Sequence, residues 1–117
     1  MANTVPTAAT GPNASNLAKA FIRETLLNQN PEAYIALCLA IANAPAIDYA
    51  AIKAPFLLIA GQEDKSSSLE GCEKVYGLMQ SASKRMEVLR DVGHWHCFEA
   101  PEHVGKVIED FVGRAHF

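Results

Sequence analysis

Three kinds of side chain in this sequence could do chemistry near neutral pH. They are the carboxylates of Glu63 and Asp64, the imidazole of His94, and the thiols of Cys38, Cys72 and Cys97. Asp64 stands in Gly61-Gln62-Glu63-Asp64-Lys65, and His94 in Gly93-His94-Trp95-His96. A carboxylate against an imidazole holds the ring in one tautomer and stabilises the imidazolium. The opposite ring nitrogen can then take a proton from a nucleophile and return it to a leaving group. Asp64 and His94 are far apart along the chain, so that chemistry depends on the elements that carry them.

Those elements read as strand, helix, strand. Pro55-Phe56-Leu57-Leu58-Ile59-Ala60 is a short apolar run closed by Gly61, the pattern of a strand covered on both faces. Met86-Glu87-Val88-Leu89-Arg90 predicts the next strand, after which Asp91-Val92-Gly93 turns the chain to deliver His94. Between them, Ser67 with Glu70 forms a capping-box pattern opening a helix with Leu69, Cys72, Tyr76 and Met79 at helical spacing. Ser81 to Arg85 is expected as a polar connection. Strand, helix and parallel strand make one right-handed crossover. Parallel neighbours would bring Asp64 and His94 to one edge of the sheet, where open α/β sheets place their ligands.

The flanking segments are mostly helical. Residues 1–14 are small and polar, broken by Pro6 and Pro12, and predict an irregular lead-in. Ser15 can cap a helix to about Asn28 with Ala18, Phe21, Ile22 and Leu26 on one face. Asn30 then reads as an N-cap, with Pro31 as the first helical residue and Glu32 as first-turn charge. Ala33 to Ala42 is almost wholly apolar or small, so this second helix is expected to be buried on more than one side. Ala44-Pro45 ends it, and Ile47 to Ile52 suits a short turn. Pro101 starts a helix in which Val104, Val107, Ile108, Phe111 and Val112 follow the amphipathic rule.

Gly-x-x-Asp after one apolar strand, and Gly-His-Trp after the next, resemble the end of an α/β-hydrolase, where the triad runs nucleophile, acid, histidine. More narrowly, the sequence resembles the C-terminal portion of a 3-oxoadipate enol-lactonase-type hydrolase. The likeness runs through Ala18 to Asn28, Asn30 to Ala36, Ile59 to Lys65 and Gly93 to Glu102. It implies a partial α/β-hydrolase fold: 1–14 as lead-in, 15–50 as a helical lid hairpin, and 51–117 as the last two parallel strands with their helices. It further implies Asp64 and His94 as the triad acid and base and a His94 loop that borders the substrate pocket, with Trp95 a candidate substrate contact although its type suits packing better. The activity implied is carboxylic ester or lactone hydrolysis in aromatic-compound catabolism, with a small-molecule substrate and no metal or organic cofactor.

The nucleophile has no candidate in this sequence. No Gly-x-Ser-x-Gly occurs, and none of Ser15, Ser66, Ser67, Ser68, Ser81 and Ser83 follows a strand-to-elbow pattern. In the family that serine precedes the lid, so it is expected upstream of Met1, and residues 1–117 alone are expected to be inactive. The alternative is a non-catalytic fragment that docks on a complementary chain, or pairs with a second copy, through an exposed sheet edge. Glu63 competes with Asp64 for the role of acid, and Asp64 by itself suits a turn after a strand. His94, His96, Cys97 and His103 lack the separated ligand pairs usual for zinc. Cys97 shares a segment with the base and reads as a small hydrophobe rather than a nucleophile.

Bulk properties narrow the classes. With 117 residues, 50% hydrophobic and 20% charged, the chain can bury a core but is short for a whole α/β-hydrolase. A net charge of -3 gives no reason to expect nucleic acid. No apolar run approaches the ~20 residues that span a bilayer. The first 14 residues lack the basic start and apolar run of a secretory signal. Three cysteines without framework spacing suit reduced thiols, and hence a cytoplasmic setting.

Overall fold

A computed structural model of the chain describes residues 1–114. Two parallel strands form its sheet, β1 (Phe56–Gly61) and β2 (Lys84–Leu89), with Phe56 opposite Lys84 and Gly61 opposite Leu89. The apolar run of β1 makes a strand because bulky side chains can pack on both faces of the pleat. Within the described residues that cover is partial: Ala60 and Gly61 are buried, and Phe56 to Ile59 are half-buried. β2 starts at Lys84, so the polar connection expected to reach Arg85 ends two residues sooner.

Helix α4 (Leu69–Leu78) makes the crossover. Its N-cap is Ser68, whose Oγ accepts from Gly71 N at 3.2 Å, and not Ser67 as the capping-box pattern predicted. The N–H groups of Ser66 and Ser67 are instead taken up by Asp64 Oδ1, at 2.7 and 2.9 Å. That turn delays the helix by one residue. At the other end, Lys84 Nζ donates to the carbonyls of Tyr76 and Met79, both at 2.9 Å. A cation on the last carbonyls of a helix offsets their partial negative charge. The start of β2 thereby closes the end of α4.

α6 (Pro101–Arg114) buries Val104 and Val107. Val104 joins Leu89 and Val92 in a core cluster, with Ile59 and Ala100 packed against it. Full burial of each valine contributes roughly 1.5–3 kcal/mol. The short helix α5 (His96–Glu99) directly precedes α6. The loop before it, residues 90–95, sits at the carboxyl end of β2 and above that core.

The remaining helices precede the sheet. The expected irregular lead-in contains one helical turn, α1 (Val5–Ala8), with Pro6 buried. α2 (Asn16–Leu27) is capped by Ser15, whose side chain accepts from Ala18 N, and buries Ala18 and Ile22. α3 (Pro31–Ala42) is capped by Asn30, which accepts from Glu32 N and Ala33 N. Its expected burial on more than one side is not met: α3 has no buried residue, and Ile35, Leu37, Leu39 and Ile41 are each more than half exposed. Composition sets which surroundings suit a helix; within residues 1–114 nothing supplies them. A single 3₁₀ turn at Tyr49–Ala51 leads into β1.

Candidate active site

The site is built where the two strands end. Beyond Gly61 the chain continues alongside the end of β2: Gln62 N donates to Leu89 O and Glu63 N to Val92 O, each at 2.9 Å. Gly61 makes this approach feasible, because a Cβ there would lie 2.5 Å from Val92 O and 3.0 Å from the carbonyl carbon of Gly93. After β2, Asp91 takes a left-handed conformation (φ 58°), the one positive φ at a non-glycine residue among the described residues. Asp is one of the few residues to visit that region readily. The reversal carries Val92 into the core and brings His94 over the acid loop.

His94 Nδ1 lies 2.9 Å from Asp64 Oδ2. Burial tends to raise the Asp64 carboxyl, but the Ser67 amide, the His94 ring and the Ser66 amide together hold it below its ordinary value. Asp64 is therefore ionised at neutral pH and can only accept, so the shared proton belongs on His94 Nδ1. The carboxylate is shielded, its side chain 6% exposed, whereas the His94 side chain is 42% exposed. A shielded acid behind an accessible ring suits an imidazole able to exchange protons through its other nitrogen.

Between the two sequence candidates for the acid, the structure brings Asp64 to the histidine. Glu63 is exposed, and its place in the loop is set by its own N–H on Val92 O. Trp95 is half-buried, stacked edge-on to His94 with ring centroids 6.1 Å apart and tilted against Phe98 at 6.0 Å. Phe98 in turn meets Phe21 of α2 at 4.7 Å, which ties the first long helix to the histidine loop. Trp95 Nε1 and His96 Nδ1 are buried without a hydrogen-bond partner among the described residues.

The other chemistry-bearing side chains do not converge. His103 lies 3.6 Å from Glu87 on the flank of the sheet, away from His94. Among the described residues no three His, Cys, Asp or Glu side chains are placed to share a metal ion. Cys38 and Cys97 are exposed, and the Cys72 thiol is pushed up by burial and by the neighbouring Asp64 and Glu73 carboxylates, which disfavours a nucleophilic thiolate. Two clefts flank the site. One of about 430 Å³ runs along Leu58, Ser66 to Ser68 and Cys72. The other, of about 440 Å³, lies between α2 and the α5–α6 corner, lined by Phe21, Phe98 and Glu99.

Sequence reading did not single out Glu99. Its carboxylate accepts from three backbone N–H groups: Gly11 at 2.7 Å, Gly93 at 3.0 Å and Trp95 at 3.0 Å. A glutamate on a short helix just after a candidate base was the available signal, but its partner at Gly11 is 88 residues away.

No protein-family model matches the sequence, and no curated protein sequence matches it. Solved structures do. A thermophilic esterase from Thermogutta terrifontis superposes on 99% of this chain with a TM-score of 0.87 at 24% identity, using 44% of its own length. The enol-lactonase from Burkholderia xenovorans LB400 superposes on 97% with a TM-score of 0.84 at 23% identity, again over 44% of its length. A serine hydrolase involved in carbazole degradation covers 97% of the chain with a TM-score of 0.78 at 20% identity, over 46% of its own length. The chain thus has a partial α/β-hydrolase fold, corresponding to the C-terminal portion of such proteins. It spans less than half the length of each.

Proposed function

We propose that Asp64 and His94 are the acid and base of a serine hydrolase acting on carboxylic esters or lactones, whose nucleophile is carried by polypeptide other than residues 1–117. The observation that supports this reading is the 2.9 Å contact between His94 Nδ1 and a shielded Asp64 carboxylate, on a histidine whose side chain is accessible. The serine hydroxyl attacks the carbonyl carbon as Nε2 takes its proton. The tetrahedral intermediate collapses as His94 returns that proton to the leaving alkoxide, and a water molecule then releases the acyl group by the same route. Asp64 stays ionised throughout and stabilises the imidazolium. Trp95, beside the base, is the proposed substrate contact.

The narrower substrate proposed is an enol-lactone of aromatic catabolism. Its support is the sequence resemblance together with the enol-lactonase among the structural neighbours. The three cysteines are unpaired, in keeping with a cytoplasmic setting. Residues 1–117 by themselves should turn over ester negligibly, since no serine among them stands on an elbow. The test is co-expression with a segment carrying Gly-x-Ser-x-Gly, followed by chromogenic-ester and enol-lactone assays. Hydrolysis lost in His94→Ala is expected; a folded, assembled complex without hydrolysis would sink the reading. Activity of residues 1–117 alone that His94→Ala abolishes would refute their predicted inactivity.

A second reading is a non-catalytic segment that docks on a complementary chain or a second copy. The observation in its favour is α3, apolar on nearly every side and buried on none. Assembly without hydrolysis in the same experiment is its signature.

A further inference from the structure

We propose that Glu99 is a positioning residue for His94: its carboxylate holds the backbone on both sides of the histidine and so keeps the ring on Asp64. The inference rests on the acid–base reading of that pair, and extends it to a residue with no contact to the ring itself.

Three consecutive amides of the histidine loop have fixed acceptors. Gly93 N donates to Glu99 Oε2 at 3.0 Å, His94 N to Ala9 O at 2.8 Å, and Trp95 N to Glu99 Oε1 at 3.0 Å. Glu99 Oε2 also accepts from Gly11 N at 2.7 Å. One carboxylate therefore clamps the residues before and after His94 to each other and to the Ala9–Gly11 segment, which supplies the acceptor for His94 itself. Both oxygens are needed, since one serves Gly11 and Gly93 and the other serves Trp95. An ionised carboxylate meets three donors with charge-assisted bonds. No neutral side chain of the same length offers two acceptor oxygens; glutamine presents an NH₂ to one set of N–H groups. The backbones are also in close contact, for a Cβ on Gly93 would fall 2.6 Å from Ala9 O. The clamp thus acts on a segment with no room to shift without moving the ring.

The test reads the His94 ring directly, by nitrogen-edited NMR of the labelled full chain in mildly alkaline buffer. The native protein should show His94 with the proton on Nδ1 alone. Glu99→Gln, folded by circular dichroism, should show a several-fold rise in the Nε2–H tautomer, while Glu102→Gln leaves the ring as in the native protein. A folded Glu99→Gln with an unchanged ring would overturn the proposal. Should that variant not fold, amide exchange in the native protein decides: slow exchange at Gly11, Gly93 and Trp95 supports the clamp, and free exchange at Gly11 and Gly93 overturns it. Asp64→Asn should mix the tautomers yet keep those three amides protected, which separates the clamp from the contact it serves. None of these readouts requires turnover. A ring that responds as described in an assembled complex without hydrolysis removes the proposed function and leaves the clamp standing.

Discussion

Gly61 and Gly93 touch backbone to backbone at the ends of the two routes that carry Asp64 and His94. A methyl group added to Gly61 would stand 3.0 Å from the carbonyl carbon of Gly93 and 2.5 Å from Val92 O. Main-chain atoms bonded into a sheet edge cannot yield as a side chain can. Gly61→Ala should therefore destabilise the chain by about 1–3 kcal/mol, read as a lower urea midpoint at unchanged slope. Gly105→Ala, on α6 with nothing within 4 Å of the new methyl, should stabilise by about 0.4–1 kcal/mol.

The Asp64 carboxyl is held below its ordinary value near 3.8 because three hydrogen bonds to the ionised form outweigh the burial that opposes them. A group depressed on folding contributes stability above its unfolded pKa and loses it as pH falls through the folded one. The native chain should accordingly be more stable than Asp64→Asn at neutral pH. The gap should begin to close as pH drops below about 4 and vanish once both states bind the proton. Urea unfolding across acid pH measures it; a gap unchanged in acid would count against an ionised, hydrogen-bonded Asp64.

In an assembled, active complex the two neighbouring acids should behave differently. Asp64→Asn offers the ring an amide that can favour the wrong tautomer, and kcat should fall by about 10³–10⁴-fold. Glu63→Gln, on an exposed side chain, should stay within about threefold of the native rate. A reversed order in steady-state assays would reassign the acid.

α3 presents Ile35, Leu37, Leu39 and Ile41 to solvent, each more than half exposed. Ile35 with Leu39 and Leu37 with Ile41 form stripes on opposite sides of the helix, and exposed apolar surface of this kind drives association in water. Residues 1–117 should sediment as concentration-dependent oligomers, and Leu37→Glu with Ile41→Lys should shift them toward the monomer. Because these side chains are exposed, the thermal midpoint should move by little. A native chain that stays monomeric at high concentration would contradict this.

The parts of the site that could be read in the sequence are those with local grammar. An apolar run closed by Gly61, a second run before Gly93-His94, and one crossover helix suffice to place Asp64 beside His94. Ser15, Asn30 and Pro101 announce their helices because capping is a matter of adjacent residues. The capping-box pattern pointed to Ser67, whereas the cap is Ser68, directly after a turn in which Asp64 accepts from the amides of Ser66 and Ser67. The link from Glu99 to Gly11 has no period and no motif; it exists because distant loops meet at one sheet edge. The exposure of α3 was equally illegible, since a pattern records the surroundings a helix suits and not whether they are present.

Ala9 accepts from the histidine loop and Gly11 donates to Glu99 behind it, which makes the lead-in a latch. It packs α1 on α2 with Pro6 buried and adds a few polar contacts, but takes no part in the apolar core that β1, β2 and α6 share. Terminal segments outside the main core open at lower free energy than the body they rest on. Undocking the first eleven residues would leave the sheet intact while freeing the amide of His94 from Ala9 and leaving Glu99 with the amides of Gly93 and Trp95 alone. The Asp64–His94 contact would then come and go with a segment whose side chains include no acid or base.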